Sequence, residues 1–338
     1  MVSIKTIAEE CGVSIATVSK AINGHKDISD ATRSLVCETA KRLGYMPNSQ
    51  ARALKTNKSY LIGVLLADKA ENGLTHVYFS SVIDSFKREM EKSGYDIVFI
   101  SEKIGDRTMS FYEHCLYRNV DGVLAACVDF NSRNVCELIE SKIPLVAVDY
   151  EKKGVCSVVS DNKNGMSDLV SYIHSMGHRR IAYIFGEDAQ VTSLRVNAYK
   201  NTLKMLGIEP DENYIRHGKY LDCVSSEILT RELLKLSHPP TCIIYPDDYC
   251  AISGMEVIKK YAKENNCNEI SIAGYDGLLA NRIKSLSLTT VRQDTYSMGV
   301  NAARLLKRVI NKEDIPEDEM INLIRGFVIN GKTVGRMP

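Results

Sequence analysis

Several things are missing from this 338-residue chain, and each absence narrows what it can be. No apolar run reaches the roughly 20 residues that a helix needs to span a bilayer. The ten cysteines form no CxxC pair and are scattered, which argues against a zinc site or a disulfide framework. Most sit in apolar stretches such as VLAACV (Cys127) and TCIIY (Cys242), so buried free thiols are expected. There is no G-x-G-x-x-G, no G-x-S-x-G and no H-E-x-x-H. The dinucleotide-binding, nucleophile-elbow and zinc-protease signatures are therefore absent. His174 and His178 have a ligand-like spacing, but Gly177 is expected to end the helix between them. Neither a metal nor a cofactor is expected. Charge of one sign is also scarce, with 43 Lys and Arg against 42 Asp and Glu. The opening MVSIKTIAEE carries no apolar leader core, which makes the cytoplasm the expected location.

What is present begins at Ile4 to Asn23, IKTIAEECGVSIATVSKAIN. Ile4, Ile7, Ala8 and Cys11 recur at spacings of three and four and share one helical face. Gly12 falls where a turn needs positive φ. Ser14 is expected to cap a second helix by accepting from a free backbone N–H. Val18, Ala21 and Ile22 then point inward, leaving Ile15, Ala16, Thr17 and Lys20 outside. This is the layout of a helix-turn-helix, whose second helix enters the DNA major groove. A plain helical hairpin fits the same pattern. A third helix should start at Ser29 with Asp30 in its first turn and end at Gly44. Its inner stripe is expected to be Leu35, Val36, Thr39, Ala40 and Leu43. Residues 1–58 hold nine Lys/Arg and five Asp/Glu, a surplus of +4 that leaves the rest at −3 from the net +1. A basic head suits a phosphate-rich partner.

Tyr45-Met46-Pro47-Asn48 breaks the helix. Gln50 to Thr56 is helix-friendly but about two turns long, too short to hold alone in water. Its composition reads as a polar linker. From Tyr60 the pattern changes. The strands LIGVLLAD, YDIVFIS, DGVLAACV and IPLVAVDY alternate with helices around VYFSSVIDSFKREMEKSG, MSFYEHCLYRN and NVCELIESK. After Asp161 the alternation repeats, with strands RIAYIFGE, TCIIYPDD and SIAGYDG. Short apolar strands separated by helices predict parallel sheets covered on both faces. Two such lobes enclose a cleft, with ligands at the carboxyl ends of the strands. The segment LTTVRQDTYSMGVNAARLLKRVIN adds a helix that can pack back on the first lobe.

The head resembles the DNA-reading headpiece of the LacI family of transcriptional regulators. It does so through Ile7-Ala8, Gly12-Val13-Ser14, Thr17-Val18-Ser19 and Asn23-Gly24. The body carries matches in the same order: Asp121-Gly122, Ile143-Pro144, Asp161-Asn162 with Gly165, and Gly177-His178-Arg179. Arg195 with Tyr199, Gly274-Tyr275-Asp276, and Leu288-Thr289-Thr290-Val291 with Gln293 complete the set. Together these cover nearly the whole chain. The resemblance implies an all-α three-helix headpiece (1–46), a hinge helix (47–59) and a two-lobed α/β, periplasmic-binding-protein-like core (60–338). It further implies a homodimeric repressor on a pseudo-palindromic double-stranded operator, with Leu54 as the hinge leucine wedged between base pairs.

Within this frame Ile15, Ala16 and Lys20 are expected to set sequence preference. Lys20 would donate to guanine and the two apolar side chains would meet thymine methyls. Ser14, Thr17, Ser19, Asn23 and Ser29 are expected to hold phosphates. Arg195 and Asp276 match positions that grip the effector; a guanidinium and a carboxylate suit a polyhydroxylated ligand. Asp247 stands where the family usually has asparagine, which adds acceptor capacity. Asp161 is either a ligand contact or a helix cap. Tyr78, Phe79 and Tyr249 either stack on a sugar face or pack in the core. A sugar or sugar derivative is the expected effector. The alternatives are a non-sugar metabolite, a protein corepressor or, with least support, a DNA-tethered α/β enzyme. The chain departs from the family's common pattern in the loop ADKAENGLTHVYF, at Leu286-Ser287, and in the tail INLIRGFVINGKTVG.

Overall fold

A computed structural model describes residues 2–25, 27–46, 58–67, 73–266, 270–278 and 287–337. The chain divides into two compact units, Met1–Ser59 and Tyr60–Pro338.

The first unit holds three helices, α1 (Ile4–Cys11), α2 (Ile15–Ile22) and α3 (Asp30–Arg42). Each starts with the same device. Ser3, Ser14 and Ser29 accept from the backbone N–H three residues on, and pair with the hydroxyls of Thr6, Thr17 and Thr32 at 3.0, 2.9 and 2.8 Å. These bonds satisfy donors that a helix start leaves free. Gly12 closes α1 at φ 63, where a side chain would be strained. Ile7, Ala8, Val18, Ala21, Val36 and Ala40 form the core. Leu35, expected in that core, is 48% exposed. The inner stripe runs Val36, Thr39, Ala40, Leu43, and Leu35 falls at its margin.

The second unit contains two six-stranded sheets. The first pairs β1 (Leu61–Leu66), β2 (Asp96–Ile100), β5 (Gly122–Ala126), β6 (Leu145–Val148), β7 (Ser157–Ser160) and β13 (Ile321–Ile324), in the order β13-β7-β6-β5-β1-β2. All of its pairings are parallel. The second joins β8 (Ile181–Phe185), β9 (Ile215–His217), β10 (Cys242–Ile244), β11 (Ser271–Asp276), β12 (Thr289–Arg292) and β14 (Phe327–Ile329), in the order β14-β12-β11-β10-β8-β9. Here β14 runs antiparallel to β12, so this sheet is not wholly parallel as alternation alone predicted. A small hairpin, β3 (Lys103–Ile104) with β4 (Arg107–Thr108), stands apart.

The central strands are buried because both faces are covered. On one face of the first sheet lie α4 (Val77–Glu91) and α11 (Thr295–Ile310), meeting through Val82, Phe86, Met90, Met298, Ala302 and Leu306. On the other lie α5 (Phe111–Arg118) and α6 (Arg133–Glu140), through Phe111, Val135 and Leu138. The second sheet is flanked by α7 (Asn162–Ser175) with α8 (Gln190–Met205), and by α9 (Cys223–Leu234) with α10 (Asp248–Asn265). Helix α11 thus returns from the second lobe to the first. The chain crosses between the lobes three times, at residues 160–162, 292–295 and 324–327, and these crossings become the frame of the cleft. Strands β7, β13 and β14, which build two of the crossings, were not read from the sequence.

Of the nine cysteines among the described residues, only Cys115, Cys242 and Cys250 are buried; Cys127 is half-buried and Cys37 exposed. The expectation of mostly buried thiols holds only for those three. His178 uses both ring nitrogens, toward Thr241 Oγ1 and the Gly335 carbonyl at 2.9 Å each, which anchors the C-terminal segment. Among the described residues no helix is long and apolar enough to cross a membrane.

Candidate functional site

On the head, Ser14, Ile15, Ala16, Lys20, Asn23 and Ser29 are exposed, and Thr17 and Ser19 are half-buried. Ile15 is 49% exposed on the outer face of α2 although it is apolar. In the Ser14–Thr17 pair one hydroxyl must donate to the other, leaving a single O–H to offer outward. Ser29 and Thr32 repeat this arrangement. The Asn23 amide donates to the Ser19 carbonyl at 2.7 Å. The Lys20 ammonium is already engaged, donating to Asp27 Oδ2 at 2.5 Å. That hydrogen bond holds the Asp27 carboxyl below its ordinary range. An exposed pair of this kind costs little to open, so Lys20 can exchange Asp27 for another acceptor. Leu54 and the hinge segment 47–57 lie outside the described residues.

The cleft is built from strand ends. Asp149 follows β6 with φ 55, and Asp276 closes β11 with φ 91. Both are non-glycine residues in left-handed backbone, a costly conformation found preferentially where side chains are aimed for function. Arg195 is the sixth residue of α8, deeper than the helix start at which the sequence placed it, and is 4% exposed. Its Nε donates to Asn162 Oδ1 at 2.7 Å. Its guanidinium lies over the Tyr275 ring at 3.7 Å and stands 3.9 Å from Asp276 Oδ1. Gly165 makes room for this stack, since a Cβ there would sit 2.6 Å from the Tyr275 hydroxyl.

From the first lobe, the Tyr78 hydroxyl donates to Asp149 Oδ2 at 2.6 Å, while the Ser160 N–H donates to Oδ1 at 2.8 Å. The lobes also touch directly. The Gln190 amide accepts from the Glu151 N–H at 2.7 Å and donates to the Glu151 carbonyl at 2.9 Å.

Burial sets the electrostatics. It pushes the Asp276 carboxyl up to about 7, with Asp247 adding to the rise and Arg195 and the Gln293 amide opposing it. Burial also raises Asp149, against the hydrogen bonds from Ser160 and Tyr78. Tyr78 is raised well above its ordinary value by burial and by Asp149. A desolvated carboxylate is costly unless it is paired or hydrogen-bonded.

Other expected site residues have different surroundings. Asp247 is 1% exposed, and its two oxygens accept from the Cys250 and Leu221 N–H groups at 2.9 and 2.7 Å. Asp161 caps α7, accepting from the Asn164 N–H and side-chain amide at 3.1 and 2.7 Å. Tyr78 packs its ring in the first-lobe core and turns its hydroxyl toward Asp149; Phe79 meets Tyr78 edge-on at 5.0 Å. Among the described residues, the rings around Arg195 are Tyr275 and Tyr220, not Tyr249. Sequence reasoning assigned no site role to Asp149, Asn162 or Gln293. Asp149 stands at a strand end just as Asp276 does, so the rule that found one could have found the other. Asn162 and Gln293 lie in two of the lobe crossings and hold Arg195 and Asp276, the latter through a 2.6 Å bond.

A three-helix DNA-reading head carried on a two-lobed core with a polar cleft defines a DNA-binding regulator. Comparison with known proteins agrees. Residues 3–48 match the model of the bacterial regulatory proteins of the lacI family, and residues 170–333 match the periplasmic binding protein-like domain. The chain belongs to the LacI family and is a DNA-binding regulator of transcription rather than an enzyme. It is 29% identical to catabolite control protein A of Priestia megaterium, over 93% of this chain and 94% of that protein. Two solved structures share the fold. One is a lac repressor dimer bound to operator and the anti-inducer ONPF (TM-score 0.81, 23% identity, 99% of both chains). The other is a complex of the transcriptional regulator CelR with cellobiose (TM-score 0.70, 22% identity, 98% of this chain and all of that one).

Proposed function

We propose that this chain is a homodimeric, cytoplasmic repressor whose hold on a pseudo-palindromic operator is set by a sugar or sugar derivative bound between its lobes. The observation that carries the reading is the gathering of Tyr78 and Asp149 from the first lobe with Arg195 and Asp276 from the second. Such a set of donors and acceptors suits vicinal hydroxyls. The cellobiose complex of a protein with the same fold supports the class of ligand, and the operator-bound lac repressor dimer supports the assembly.

The DNA end of the mechanism assigns base contacts to Ile15, Ala16 and Lys20 and phosphate contacts to Ser14, Thr17, Ser19, Asn23 and Ser29. The segment 47–59 serves as the hinge between the head (1–46) and the core (60–338), with Leu54 as the minor-groove wedge. At the ligand end, a sugar bridging Asp149 and Asp276 favours one angle between the lobes. Asn162 and Gln293 tie the ligand-gripping residues to the crossings about which the lobes turn. A ligand that prefers one lobe angle biases operator binding by linkage.

Footprinting on a genomic fragment should protect two half-sites related by a dyad. A thermal-shift screen against sugars should give hits that Arg195→Gln abolishes. Protection of a single asymmetric half-site would contradict the dimer, and hits unchanged in the variant would contradict the cleft.

A further inference from the structure

We infer that the cleft selects a ligand by charge: it accepts neutral or ammonium-bearing polyhydroxylated molecules and excludes those with a phosphate or carboxylate. This rests on the reading of the cleft as the effector site and narrows the class of effector.

Charge and hydrogen-bonding capacity around the cleft set this selection. Two desolvated, half-buried carboxylates stand at the cleft, Asp149 from the first lobe and Asp276 from the second. Asp247 behind them adds a third negative charge whose field reaches Asp276. Among the described residues Arg195 is the cation facing them. Its Nε is taken by Asn162, its plane is stacked on Tyr275, and Asp276 stands at 3.9 Å. The guanidinium is thus already opposed by one carboxylate. Asp149 accepts from a hydroxyl and a backbone N–H, and the Arg195 charge acts on it only from further off.

An incoming anion would bring a further negative charge into a site where burial already disfavours two carboxylates. The balance of donors and acceptors points the same way. Gln293 spends its amide N–H on Asp276 and leaves its own oxygen buried without a partner. Such an oxygen needs a donor. Hydroxyl or ammonium groups of a ligand supply donors to the desolvated carboxylates of Asp149 and Asp276. A phosphate supplies acceptors almost alone.

The test is isothermal titration of the full-length protein at pH 7.5 with matched sets of free sugars, their amino derivatives, their phosphates and the corresponding uronic acids. Each binder is repeated on Arg195→Gln and Asp149→Asn. The expected result is binding confined to the neutral and amino sets and lost in Arg195→Gln. A phosphate or uronate of a bound sugar should bind about tenfold more weakly or worse, and Asp149→Asn should narrow that gap. An anionic ligand binding as tightly as its neutral parent, and lost in Arg195→Gln, would overturn the charge selection while leaving the cleft as effector site. Binding that Arg195→Gln does not affect, or no binding from any set, would count against the effector-site reading itself.

Discussion

The head and the cleft place polar side chains in opposite environments. On α2 the groups assigned to DNA stand in water: Lys20 shares an exposed pair with Asp27, and Ser14 and Asn23 bond only to their own helix. In the cleft, Arg195 is buried over an aromatic ring and Asp276 is desolvated until its carboxyl rises to about 7. The physical consequence is a difference in cost. A solvated donor can exchange one acceptor for another at little expense, which suits a surface that must scan many DNA sites. A desolvated charge is expensive to leave unmatched, which suits a site that should respond to one ligand and change shape when it arrives.

Substitutions should separate the two regions. The largest effect is expected from Arg195→Ala. It leaves desolvated carboxylates without their cation and should destabilise the core by about 3–5 kcal/mol, read as a lower urea midpoint. Operator binding by the folded fraction should survive. If stability were unchanged, the cleft would be no different from the head.

The next effect concerns pH. Asp276 has a folded-state value of about 7 against an ordinary 3.8, so the folded protein holds a proton that the unfolded chain releases. Stability should then fall as pH rises from about 4 to about 7, by about 3 kcal/mol from this group. Asp149 acts in the same direction. Asp276→Asn should flatten that slope in thermal melts across the same range; an identical slope in wild type and variant would remove the desolvation argument.

On the head, Lys20→Ala should leave the melting temperature nearly unchanged and weaken binding to the preferred operator by about tenfold to a hundredfold, with relaxed preference at one base pair. Gel shifts on single-base operator variants would register this, and unchanged base preference would remove Lys20 from the reading surface. The smallest effect is expected for Ser14→Ala, about 1 kcal/mol of head stability through the lost cap. Because Thr17 shares the hydroxyl pair, a modest loss of DNA affinity should accompany it.

Much of this was legible in the sequence for identifiable reasons. The head follows spacings of three and four, with serine caps at Ser14 and Ser29 and a turn glycine at Gly12, all of them local rules. The strands LIGVLL, GVLAA and LVAV were readable because strands covered on both faces are continuously apolar. What escaped depends on distant partners. Strands β7, β13 and β14 are short and pair across lobe crossings, so no local pattern marks them. Asp161 reads from sequence as either a ligand contact or a cap and Asp247 as a ligand group; the hydrogen bonds that tie their oxygens to a helix start and a loop come from neighbours the sequence pattern does not rank. Asp149 takes its partners from Tyr78, 71 positions away, and Ser160, and Gln293 meets Asp276 only 17 positions off but across a strand crossover. The contact between Gln190 and Glu151 joins residues 39 positions apart and is likewise invisible in one dimension.

The central claim is that occupancy of the cleft changes the hold of the head on DNA. The direct measurement is operator affinity by fluorescence anisotropy, with and without a saturating neutral sugar identified by titration, in wild type and in Asn162→Ala. A ligand-dependent change of about fivefold or more is expected in wild type. In Asn162→Ala the sugar should still bind, but the change in operator affinity should shrink, because the tie between Arg195 and the crossing is gone. Operator affinity that stays the same with the cleft filled or empty in wild type would contradict this claim.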